Sequence, residues 1–343
     1  AARACRRPLA EPEQEDLRAL YRRLRAEEMT HDTAIRLALA RVLVSPGFLY
    51  RAEVPGPGER WAPVSDWELA SRLSYFLWSS APDDELAAAA AAGRLHDPEV
   101  LAGQARRLLR EPRVRRLAIE FGCAWLRIRG FDELDEKSER HFPTFVALRG
   151  AMYEESIRFL TDLFQGDRSV LDLLDADHTF LNEELARHYG IPGVDGPEWR
   201  RVDGVGRHGR GGVLGQAATL AKQSGASRTS PILRGNWVAE VLLGDHLPPP
   251  PPDVPLLPED ESTELLTVRE LTLKHTSDRR CSGCHVRIDP YGFALESFDA
   301  IGRRRERDLA DRPIDTQATV LDGTTLRGPE GLRAYLLGAK RGA

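Results

Sequence analysis

A chain of 343 residues, 41% hydrophobic and 29% charged, holds enough apolar material for one large domain or two to three ordinary ones. A net charge of −5, with basic residues scattered along helical stretches, excludes a polyanion-binding design, so no nucleic-acid partner is expected. No apolar run approaches the ~20 residues of a membrane-spanning helix, and Cys5, Cys123, Cys281 and Cys284 are too few for a disulfide framework.

The 48 basic residues are nearly all arginine, which reflects genome composition rather than function. The chain opens on Ala1 with neither methionine nor signal peptide and reads as a processed or excised piece. Leu17, Leu20, Tyr21 and Leu24 recur at helical spacing and predict a first amphipathic helix. Ala34, Ile35, Ala38, Leu39, Val42 and Leu43 predict a second, stopped by Pro46 and Gly47. Val54 to Pro63 is rich in proline and glycine and reads as a loop. Ser65 with Glu68 forms a capping box for a third helix, its buried face Leu69, Leu73, Phe76 and Leu77. Pro82 opens an alanine-rich helix, and Asp97-Pro98 opens the next with proline at its favoured first position. Leu126, Ile157, Phe159, Leu160 and Leu163 carry the pattern through two more helices to about Phe164. Trp67, Trp78 and Trp125 read as core, and His31, His96, His141 and His178 as helix-end residues rather than ligands.

From Gly190 to Gly225 the composition turns to glycine and polar residues. P-loop spacing and its lysine are missing, so this stretch reads as a turning connection. Ser230-Pro231 starts a helix through Trp237, Val238, Val241 and Leu242, ended by Gly244. Pro248 to Pro252 predict a polyproline II strut, about 3.1 Å per residue, serving as a spacer rather than as a ligand for a proline-recognition domain. Thr267 and Glu270 make a second capping box with Leu266 and Leu271 as its staple, for a helix running to about His275. Val320 to Thr324 predict a type I′ hairpin between two short strands, where most of the strand content is expected. Pro329 then opens a last helix through Leu332, Tyr335 and Leu336, stopped by Gly338.

The chemistry concentrates in Cys281-Ser282-Gly283-Cys284-His285, the C-x-x-C-H pattern of c-type haem attachment. Thiols three positions apart share one face of a helical turn, where they would become thioethers on the porphyrin vinyl groups. His285 beside them would ligate the iron from its proximal side. The same residues also suit a disulfide-prone thiol pair, or a zinc half-site needing a fourth ligand from Cys5 or Cys123. No methionine follows Met152, so the usual methionine on the far side of the iron is not expected. The sixth ligand is then a histidine, with His275 nearest in sequence, or the distant Met29 or Met152, or nothing.

Four sets of residues resemble a known family. They are Cys5 to Leu9 with Ser45 to Arg51; Arg72 to Trp78 with Thr179 to Asn182 and Leu185 to Pro192; Arg228 to Pro231 with Arg234 to Val238 and the prolines; and Cys281 to His285 with Asp289 to Glu296 and Phe298 to Arg303. These blocks, in this order, are similar to the planctomycete-type cytochrome-associated secreted proteins, built from serial domains of unknown function with a C-terminal C-x-x-C-H motif. The resemblance implies a secreted bacterial protein with a c-type haem. It also implies further domains of the same protein before Ala1 and after Ala343, and it implies no particular reaction.

The expected fold is mainly α, a multi-helix scaffold followed by a small c-type-cytochrome-like segment with a short β-hairpin. The expected divisions are an N-terminal helical domain (1–55), a central helical domain (60–195), a segment of glycine-rich loop, helix and strut (205–258) and a haem-motif segment (259–343) truncated at its C-terminus. The scaffold is expected to fold without that last segment. Haem c, periplasmic or cell-surface location and electron transfer or redox sensing with an unknown partner protein form the leading expectation. An open iron position would instead suit a peroxidase- or oxidase-like enzyme, for which His188, His208, Arg228 and Arg234 are available residue types. A structural or carbohydrate-associated surface protein is the third reading. Asp289, Glu296 and Asp299 lack the ligand pattern of a calcium loop and read as caps and salt bridges.

Overall fold

In a computed structural model, which describes residues 1–51, 53, 62–166, 168–248, 257–259, 265–277 and 279–338, most of the longer helices start where a side chain caps them. The described residues are mainly helical, with two small two-stranded sheets, and they form two compact units, Ala1–Leu117 and Ala118–Ala343.

In the first unit Thr30 caps the helix His31–Leu43, and Ser65 and Glu68 form the expected reciprocal box at Asp66–Trp78. Asp97 caps Pro98–Arg110. Asp83, whose carboxylate accepts from the Leu86 amide at 3.0 Å, starts Asp84–Ala91 two residues beyond Pro82. Two faces differ from the periodicity. In Asp66–Trp78 the buried residues are Ala70, Ser74, Leu77 and Trp78, while Phe76 points to solvent. The rotation follows from Trp78, whose indole donates to the Leu108 carbonyl at 2.9 Å and so commits that face to the core. In His31–Leu43 only Ala34 and Val42 are buried, and Ile35, Leu39 and Leu43 are exposed. Pro46 does more than stop that helix, since Ser45 caps a further short turn, Pro46–Leu49. The Arg6 guanidinium ties the N-terminus to this turn through the carbonyls of Gly47 and Tyr50, at 2.8 and 2.9 Å. The loop expected at Val54 to Pro63 lies largely outside the described residues.

One hydrophobic cluster organises the second unit and runs from Ala118 to Leu336, including Met152, Phe159, Trp237, Ile288, Phe298 and Leu332. The core is therefore not divided at the prolines, and the motif segment is part of it. The strut at Pro248–Pro252 falls almost wholly outside the described residues. A hairpin that periodicity did not reveal pairs β1 (His178–Leu181) with β2 (Arg200–Asp203), His178 opposite Asp203. His178 is thus a buried strand residue bonded to Asp162 at 3.1 Å, not a helix-end residue. The expected hairpin pairs β3 (Gln317–Thr319) with β4 (Thr325–Arg327). Its turn is not type I′, which needs positive φ at both central residues. Only Gly323 is left-handed, at 87°, and Val320 instead pairs with Thr324 across a three-residue loop.

Two glycines set the position of the motif helix, Arg279–Ala294. A Cβ on Gly235 would lie 2.0 Å from the Ile288 carbonyl oxygen, and one on Gly292 would lie 1.9 Å from that of Pro231. Only bare backbone on both sides permits this approach, so the motif helix rests directly on the helix Pro231–Trp237. The chain leaving the motif helix is gripped by Arg234. Its guanidinium donates to the carbonyls of Leu295 and Phe298, both at 2.8 Å, and of Asp299 at 2.6 Å. Carbonyls at a helix end lack ladder partners, and a planar five-donor group satisfies several at once.

Candidate functional site

The inner half of the motif helix is buried from Ile288 onward, whereas Cys281, Cys284 and His285 are only half-buried. Both motif cysteines are free thiols. Four residues after His285, one turn along the same face, stands Asp289. The His285 Nδ1 lies 3.0 and 3.2 Å from its two carboxylate oxygens, with the side chains 13% and 7% exposed. An ionised carboxylate only accepts, so Nδ1 is the donor, and in the neutral form of the ring the proton sits there. That leaves Nε2 as the lone-pair nitrogen, the tautomer a metal ligand requires. Burial pushes the Asp289 carboxyl above its ordinary range, and the bond from His285 works against that rise.

The preceding helix, Val268–Thr276, starts on the expected Thr267/Glu270 capping box and carries His275 in its last turn. It places the His275 ring edge-on to that of His285, with centroids 5.1 Å apart and planes at 69°. The donor set fits a c-type haem: two free thiols on one helical turn, an imidazole with the right nitrogen available, and a second imidazole beside it. Two imidazoles on opposite sides of one iron need centroids about 6 Å apart, given metal–nitrogen bonds of about 2 Å. His275 would therefore have to turn outward to serve as the sixth ligand.

The residue types considered for a distal acid/base are not gathered here. His188 is buried and bonded through Nε2 to the Ile301 carbonyl at 3.1 Å. Burial, then the charges of Arg210 and Arg303, pull its pKa down to about 3, so it is neutral near pH 7 and no proton donor. His208 faces Arg207. Arg228 serves the carbonyls of Thr229 and Pro258, and Arg234 those after the motif helix. Met152 and Cys123 are buried in the core, Cys123 against Tyr153, and Met29 and Cys5 lie in the first unit. Among the described residues no group of three or more His, Cys, Asp or Glu side chains is arranged to hold a bare metal ion. Glu296 accepts from the Thr229 hydroxyl at 2.6 Å and forms the expected ion pairs, with Arg234 and Arg305, whereas Asp299 accepts from the Ile301 and Arg303 amides at 2.9 and 2.7 Å within a turn and caps no helix.

Sequence reasoning missed Asp289 as the partner of His285, although the i, i+4 spacing carried the signal. It also missed a buried polar cluster with no linear signature. Glu155 accepts from the Thr179 hydroxyl at 2.6 Å and from the Tyr189 hydroxyl, and Tyr189 in turn accepts from the Ala217 amide at 2.9 Å. Arg210 lies 3.8 Å from the Tyr189 ring centre. Burial pushes Glu155 up to about 7, opposed by the hydroxyl bonds and by Arg210. In the first unit, a cleft of 1160 Å³ is walled by residues such as Cys5, Arg41 and Tyr50 on one side of the sequence and Trp67, Arg72 and Tyr75 on the other.

Three family models match in series. PSD5, a protein of unknown function (DUF1595), matches residues 1–53; PSD4 (DUF1592) matches 64–191; and PSCyt3 (DUF1588) matches 210–308, which includes the motif. The chain thus matches, one segment after another, three models of planctomycete-type domains of unknown function. No curated protein and no solved structure matches it. No helix among the described residues is long and apolar enough to cross a membrane.

Proposed function

We propose that this chain is a c-type haem-binding protein that transfers electrons or senses redox state outside the cytoplasm of a bacterium. The observation that carries this reading is the His285–Asp289 bond, which leaves Nε2 of the motif histidine ready for iron beside two free, half-exposed thiols. The abbreviation PSCyt3 points the same way. A bound haem supplies one-electron exchange at its iron. Cys281 and Cys284 would hold such a group covalently and His285 would ligate its iron, with Asp289 fixing the orientation of the imidazole and the glycine-packed inner half of the helix supporting the site. Thioether attachment normally takes place outside the cytoplasm, which is why that location is part of the proposal.

A pyridine haemochrome spectrum of protein made in a host with c-type maturation machinery tests this directly. Cys281→Ala or Cys284→Ala is expected to leave one thioether and shift the α-band, and His285→Ala to remove the proximal ligand. Stoichiometric zinc and no haem would sink the proposal. The carrier role further predicts that His275 turns to fill the sixth position, giving a low-potential iron with two histidines. Slow carbon monoxide binding to the reduced protein, made rapid by His275→Ala, is the expected result. Rapid binding by the unaltered protein favours a catalytic haem instead.

A further inference from the structure

We propose that Asp289 is a positioning residue that sets the donor strength of His285 and thereby lowers the reduction potential of the iron; this rests on the haem reading above. A metal-bound imidazole can give its other N–H to water, a backbone carbonyl or a carboxylate, and of these only the carboxylate carries a full charge. A charged acceptor draws the Nδ1 proton toward itself and gives the ring imidazolate character. Such a ring is a stronger donor and favours the ferric over the ferrous state. Both carboxylate oxygens lie within 3.2 Å of Nδ1, and the pair is largely shielded from water, which weakens a charged hydrogen bond.

The carboxylate is also held in place. Asp289 lies between Ile288, whose carbonyl packs against Gly235, and Pro290, and all three residues are buried. Its backbone is therefore fixed by the contact between the two helices rather than by the cofactor. The partner of His285 is built into the apoprotein, ready before any haem arrives.

Two substitutions separate orientation from charge. In Asp289→Asn the amide oxygen still accepts from Nδ1, so orientation survives and only the charge is lost. In Asp289→Ala both are lost. Nitrogen-15 NMR of the haem-free full chain is expected to find the His285 proton on Nδ1 in the unaltered protein and in Asp289→Asn, and a mixture in Asp289→Ala. After maturation, with loading verified by haemochrome, Asp289→Asn is expected to be reduced at least tenfold more readily. That is a rise of about 59 mV for one electron. Equal potentials in the loaded unaltered and Asn proteins would overturn the role of Asp289 and leave the haem reading standing. A His285 proton on Nε2 in the unaltered apoprotein would overturn it as well. No haem in any of the three proteins removes the reading on which it rests.

Discussion

Burial decides the charge of Glu155. Its carboxyl, 1% exposed, is held at about 7, whereas an unfolded glutamate titrates near 4.5. The native state therefore keeps a proton that the unfolded state has already released. The resulting stability is fully present below pH 4.5 and is lost as pH rises through 7, the reverse of a salt-bridged carboxylate. The difference amounts to about 3 kcal/mol. Glu155→Gln, whose one amide oxygen can still accept from a hydroxyl while its NH2 faces the other, carries no titrating proton and is expected to abolish that slope. Urea midpoints of the two proteins compared at pH 5 and pH 8 measure it; parallel changes would show that Glu155 does not titrate in this window. Nothing in the sequence around position 155 announces the cluster, because Thr179, Tyr189 and Arg210 come from distant segments and meet only through packing. Asp289 differs in this respect. Its partner lies one helical turn away, so the pairing was legible from spacing once the helix was assigned.

At the scale of elements, what the sequence made legible was what short-range chemistry controls. The boxes at Ser65/Glu68 and Thr267/Glu270, and the proline start at Asp97-Pro98, all appear as expected. The β1/β2 hairpin was not legible, because its strands are short and 18 residues separate Leu181 from Arg200. The direction of a buried face was also hidden where one large residue such as Trp78 overrides the average periodicity. The contact between the motif helix and Pro231–Trp237 lies at the same level, and glycine substitutions probe it. Gly292→Ala would push a methyl group to 1.9 Å from the Pro231 oxygen and is expected to cost about 3 kcal/mol or more. Gly283→Ala, in the same helix with nothing within 4 Å, is expected to gain about 0.5–1 kcal/mol. Thermal unfolding of the two variants side by side provides the check; equal melting temperatures would mean that the helices are not in backbone contact.

For the whole molecule, the shared core of the second unit makes a definite statement about truncation. Removing residues 259–343 takes Ile288, Phe298 and Leu332 out of the cluster and uncovers Gly235. The remaining part of that unit is expected to lose cooperative unfolding, while Ala1–Leu117 stays folded and resists protease as a fragment ending near residue 117. A cooperative transition surviving in residues 118–258 would contradict this. The division at 117 has a further consequence for how such chains evolve. It falls inside the matched segment 64–191, so that one inherited module donates its first part to one folding unit and its remainder to the other. The cleft repeats the pattern, with walls from residues 1–53 and from 65–76. Recombination at the module borders would cut through packed units instead of between them. Replacing segment 64–191 by an unrelated one would leave both compact units without part of their cores.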